Sequence, residues 1–101
     1  MYYVYIIYSE AFARFYVGAS QDPWLRLEKH NTSKFNTYTS KYRPWVLKAV
    51  FLAGTTRSDA EQIEKFIKKQ KSKTLILKMI DPSFVLSGKL AQLVRVPHVR
   101  D

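Results

Sequence analysis

Two stretches made almost wholly of aromatic and β-branched residues, 2–8 and 15–19, stand six residues apart at the front of the chain. Side chains branched at Cβ lose rotamers in a helix and pack well on a pleated surface, so both stretches predict strands. Joined through the polar turn at 9–14, they predict an antiparallel hairpin, with Gly18 marking a close approach to the backbone. An isolated hairpin is marginal in water, so the rest of the 101 residues must cover it. A chain of that length buries roughly two-thirds of its unfolded surface in one core, which leaves no room for a second sizeable domain. At 47% hydrophobic and 25% charged residues, neither a disordered chain nor a coiled coil fits.

Asp22 followed by Pro23 is a good N-cap and first-turn pair and predicts a helix over 23–31, with Arg26 and His30 one turn apart on one face. Residues 32–44 are polar and basic without periodicity and read as a long loop, a kind that is usually functional. Residues 45–52 are a third strand. Ser58-Asp59-Ala60-Glu61 fits the capping-box pattern and predicts a second helix, with Ala60, Ile63 and Ile67 as its buried stripe and Phe66 widening it. Glu64 lies beside that stripe. Ser72 caps a last helix reaching Ile80, which Asp81-Pro82 ends. Residues 83–101 form a C-terminal extension, docked or frayed, beyond a domain at 1–82.

Seventeen Lys plus Arg against eight Asp plus Glu leave a net charge of +9, which calls for a polyanionic partner. The excess is segregated: residues 1–64 hold eight bases and six acids (+2), and residues 65–101 hold nine and two (+7). Between Glu28 and Asp59 there is no acid, while Lys29, Lys34, Lys41, Arg43, Lys48 and Arg57 alternate with Phe35, Tyr38, Tyr42 and Trp45. Aromatic rings among cations suit nucleic acid. The absence of cysteine excludes disulfides, thiolate metal sites and a cysteine nucleophile. With no basic leader and no apolar run near the ~20 residues of a membrane span, the expectation is a soluble, cytoplasmic protein without membrane contact.

The candidates for chemistry are few: Arg26 and His30 on one helix, Glu64 on another, and tyrosines on the first two strands. At this point the sequence resembles the GIY-YIG nucleases. Tyr3-Val4-Tyr5 and Tyr16-Val17-Gly18 resemble the two tripeptides that name the family, and the family's later Arg, His and Glu match Arg26, His30 and Glu64 in order. His30-Asn31-Thr32-Ser33, Tyr38-Thr39-Ser40-Lys41 and Arg43-Pro44-Trp45 further resemble the small stand-alone bacterial branch, related to the N-terminal nuclease module of the excision-repair incision subunit. The likeness covers residues 2 to about 80. It implies an α/β (α+β) fold in which a three-stranded antiparallel sheet is flanked by helices, with the active site on one face of the sheet.

By the same resemblance, Tyr5 is the candidate general base or water-orienting group and Tyr16 supports it. Arg26 stabilises charge on the phosphoryl oxygens, which its planar, permanently charged fork suits. His30 shuttles a proton, its ordinary pKa lying near neutrality. Glu64 holds Mg2+ (or Mn2+), an ion that needs few protein ligands because it keeps most of its waters. The plainer alternatives are a core tyrosine, an Asp22–Arg26 pair, phosphate binding by His30 and a Glu64–Lys68 pair. Glu61, at the capping position, serves as a control whose loss should affect stability and not catalysis. Lys34, Tyr38, Lys41, Arg43, Lys65, Lys68 and Lys69 are the candidate nucleic-acid contacts. One departure from the family stands out: no Asn follows Glu64, so Asn31 or Gln70 would have to fill that role.

The expected activity is therefore metal-dependent hydrolysis of a DNA phosphodiester, nicking one strand by structure and not by sequence, with RNA as the other nucleic acid such a site admits. With one active site and no interface evident in the sequence, the expectation is a monomer or weak dimer. Two other readings use the same basic face: a catalytically weak or inactive nucleic-acid-binding module in a repair or processing complex, and a ribosomal or RNA-structural protein. The last leaves the order of Tyr, Arg, His and Glu unexplained.

Overall fold

The computed structural model describes residues 1–35 and 37–99. Strands β1 (Tyr2–Ser9) and β2 (Arg14–Ser20) form the expected hairpin, followed by helices α1 (Pro23–Thr32) and α2 (Tyr38–Lys41), strand β3 (Val46–Gly54), helices α3 (Arg57–Gln70) and α4 (Lys73–Ile80), and strand β4 (Val94–Val96). The sheet is antiparallel in the order β2-β1-β3-β4. It therefore has four strands where three were expected. The fourth is three residues long and starts within Leu93-Val94, a short strand-like piece of the C-terminal extension.

Strand β1 is covered on both faces, which explains its unbroken apolar composition. Val4 and Ile6 join Val17, Ala49 and Phe51 on one side, under Ala60, Ile63 and Ile67 of α3 and Met79 of α4. Tyr5 and Ile7 join Trp45 and Val50 on the other, where Trp24 and Leu27 of α1 pack. Alternation along the strand thus puts Tyr3 and Tyr5 on the α1 side, together with Tyr16. Segment 83–99 packs onto this frame. Leu90 and Leu93 enter the core, Val96 pairs with Val50, and Arg95 Nη2 donates to the Met79 carbonyl at 2.6 Å. Trp24 Nε1 reaches across to the His98 carbonyl at 2.9 Å.

The segment read as a long loop contains the single-turn helix α2 and is tied down by its own polar groups. Asn31 brackets Trp45, its Oδ1 accepting from the Trp45 N–H at 2.7 Å and its Nδ2 donating to the Trp45 carbonyl at 3.0 Å. Arg43 Nε donates to the His30 carbonyl at 2.6 Å, and its Nη2 donates to that of Ser33. These two bonds of the Arg43 guanidinium staple the loop to the end of α1. Asn31 thus uses its amide to hold Trp45, and Gln70 donates to the Phe66 carbonyl of its own helix.

Helix α3 begins one residue before Ser58, at Arg57. Its N-cap is Thr56, whose Oγ1 accepts from the Asp59 N–H while the Asp59 carboxylate accepts from the Thr56 N–H, both at 3.2 Å. Two overlapping capping patterns compete in this stretch. Thr56 and Asp59 prevail where Gly54 leaves room, since a Cβ at Gly54 would lie 2.5 Å from Asp59 Oδ2. Glu61 therefore caps nothing and only approaches Arg57 at 3.9 Å. Among the described residues, no helix is long and apolar enough to cross a membrane. In urea unfolding, Asp59→Ala should cost about 1 kcal/mol and Glu61→Ala less than about 0.5 kcal/mol; the reverse order would contradict this cap.

Candidate active site

A cleft of about 520 Å3 opens at the β2 edge of the sheet, walled by α1 and α3. Tyr5 reaches it from the neighbouring strand because of Gly18. The two residues face each other in the hairpin register, and a Cβ on Gly18 would overlap the Tyr5 ring and hydroxyl. Glycine at this position thus lets a ring anchored in the core extend its oxygen to the edge. The cleft gathers Tyr5, Tyr16, Arg26, Glu64 and Lys65, contributed by two strands and two helices.

His30 lies just behind them, 5% exposed. Its Nε2 is 2.7 Å from the Tyr5 hydroxyl and its Nδ1 is 3.0 Å from Thr39 Oγ1. Burial, and then the positive charges of Arg26 and Arg43, push its pKa down from 6.5 to about 4. At neutral pH it is an uncharged imidazole, so it cannot bind phosphate as a cation but can accept a proton. Burial raises the Tyr5 pKa to about 12, although Arg26 nearby pulls the other way. Fewer than about one Tyr5 in ten thousand is then phenolate at neutral pH. Any basic action of Tyr5 must pass its own proton on as it takes another.

Glu64 has both of the surroundings weighed for it. It faces the cleft, and its Oε1 lies 3.5 Å from Lys68 one turn on. With Lys68 half exposed, such a pair is worth only tenths of a kcal/mol and does not fix the carboxylate against a stronger cation. Among the described residues, no group of three or more His, Asp or Glu could hold a metal. One carboxylate on an open cleft does fit Mg2+, which binds through one or two carboxylates and retains water. Glu61 supplies a second carboxylate to the same wall.

The remaining candidates separate into two sets. Lys34 and Tyr38 line an adjoining groove of about 860 Å3 with His30 and Arg26. Lys68 sits 4.9 Å above the Tyr16 ring, while Lys41 and Lys69 are exposed and border neither the cleft nor the grooves beside it. Lys29 and Arg57 do line the cleft, although sequence reasoning did not select them. Lys29 could have been found, since it lies one turn from Arg26. Thr39 carried no signal, because only the fold of the 32–44 segment brings it to His30.

The chain matches the family model of the GIY-YIG catalytic domain over residues 1–76, from the hairpin into α4, and it belongs to that family. Its domain is therefore a nuclease domain, of a kind that acts on nucleic acid and generally uses divalent metal. No curated protein matches the chain.

Because the Gly18 gap sets the position of the Tyr5 hydroxyl, Gly18→Ala should displace the ring, cut nuclease activity at least about 100-fold and break the Tyr5–His30 contact, at a stability cost of about 1–3 kcal/mol. Wild-type activity in that variant would show that the Tyr5 position is unimportant.

Proposed function

We propose that this cleft hydrolyses a DNA phosphodiester one strand at a time, leaving a 3′-hydroxyl and a 5′-phosphate. The observation that carries the proposal is the Tyr5–His30 hydrogen bond at 2.7 Å beside Arg26 and Glu64 in one cleft. The Tyr5 hydroxyl faces His30 Nε2 at 2.7 Å, and with the imidazole protonated on Nδ1 it is Tyr5 that donates across this contact. A water attacking phosphorus then gives its proton to the Tyr5 oxygen as the Tyr5 proton moves to His30. The bond from phosphorus to the 3′ oxygen breaks, and that oxygen takes a proton from solvent. Arg26 meets the negative charge growing on the phosphoryl oxygens. Glu64 would hold Mg2+ or Mn2+, and such an ion would supply positive charge to the reacting phosphate.

Tyr16 packs edge-on against the His30 ring with centroids 5.4 Å apart, so its part is to hold the imidazole in line. Lys29, Lys65 and Arg57 around the cleft suit the flanking phosphates. The Tyr3-Val4-Tyr5 form of the first tripeptide supports placement in the small stand-alone bacterial branch, related to the excision-repair nuclease module. A module that only bound nucleic acid would use the same cations but would need no buried relay from Tyr5 through His30 to Thr39.

The test is a labelled panel of single-stranded, duplex, flapped and branched DNA, with RNA counterparts, incubated with Mg2+, Mn2+ or chelator. Metal-dependent nicking that falls at least about 100-fold in Glu64→Gln is expected. Cleavage that persists in chelator or in Glu64→Gln would overturn the metal assignment. Binding without cleavage under every metal would leave the binding module.

A further inference from the structure

Resting on the nuclease reading, we infer that the surface beside the cleft is a stacking platform for unpaired bases, so that the substrate carries a single-stranded segment next to the scissile phosphate. Four aromatic rings form a continuous row leading away from the site. Tyr16 stacks on Tyr38 with centroids 6.1 Å apart and 29° between planes, Tyr38 meets Tyr42 at 5.0 Å, and Tyr42 meets Phe12 at the hairpin tip at 5.3 Å. The row comes from three separate places, β2, the α2 segment and the β1–β2 turn. Phe12 and Tyr38 remain 50% and 47% exposed, more than a role in the core would explain.

The surroundings of the row select the occupant. Arg14 lies 4.5 Å over the Tyr42 ring and Lys68 lies 4.9 Å over that of Tyr16. Tyr16 and Tyr38 also border an apolar groove of about 440 Å3 floored by Ile67 and rimmed by Lys68, Lys71 and Lys73. Flat apolar faces interleaved with cations match a strand whose bases are exposed and whose phosphates are regularly spaced. An intact duplex keeps its bases stacked inside and presents only phosphates, which would leave these rings uncovered. Because every base has a π-face, such a platform tolerates any sequence.

The test measures binding of the full chain in chelator, where cleavage does not intervene, by fluorescence anisotropy of a labelled oligothymidine. Comparison probes are an abasic oligomer of the same length and charge and a blunt duplex. Oligothymidine should bind at least about ten-fold tighter than the abasic oligomer. Phe12→Ala and Tyr38→Ala should each weaken oligothymidine about ten-fold and leave the abasic probe unchanged, while Tyr38→Phe retains wild-type affinity. Equal affinity for the two single-stranded probes, or equal weakening of both by the variants, would overturn the platform. Since none of these readouts needs catalysis, loss of the platform and loss of the nuclease reading are separable results.

Discussion

The hydrogen bond between Tyr5 and His30 ties the site to the fold. Tyr5 belongs to the strand buried on both faces, and His30 belongs to the helix covering one of them, so their 2.7 Å contact joins sheet to helix at the depth where chemistry is needed. Gly18 lets the ring cross under the edge strand, and Arg43 together with Thr39 fixes the end of α1 that carries the imidazole. A side chain held this firmly loses little freedom when a substrate binds, which is the benefit of building a site on strands and helices.

Burial also sets the protonation states. Desolvation keeps His30 uncharged and Tyr5 protonated at neutral pH, and Arg26 beside them strengthens the first effect while opposing the second. Tyr5 and His30 are thus a neutral pair beside a cleft whose wall carries Glu61 and Glu64 as well as cations, and they do not attract phosphate. Attraction comes from Lys29, Arg57 and Lys65 at the rim and from a net charge of +9 overall.

Much of this was legible in the sequence. The hairpin, α1 with its Asp22-Pro23 start, and the Ser72 cap of α4 each follow from local chemistry, and they appear with boundaries shifted by at most a residue or two. Tyr5, Tyr16, Arg26 and Glu64 meet in the cleft because motif order reflects a shared topology. What failed to show was tertiary. Thr56 displaced Ser58 as cap through a carboxylate resting against Gly54, Arg43 ties the 32–44 loop to the end of α1, and β4 is a strand because β3 offers an edge. None of these depends on periodicity or on residue type alone.

The relay requires the His30 proton on one particular imidazole nitrogen, and nitrogen-15 NMR of the histidine rings reads this directly. The prediction is that His30 is neutral with the proton on Nδ1 and the lone pair of Nε2 facing Tyr5, and that it stays so as pH falls until it titrates near 4. A proton on Nε2, or an imidazolium already formed near pH 6.5, would contradict the relay, because Tyr5 would then have no acceptor for its proton.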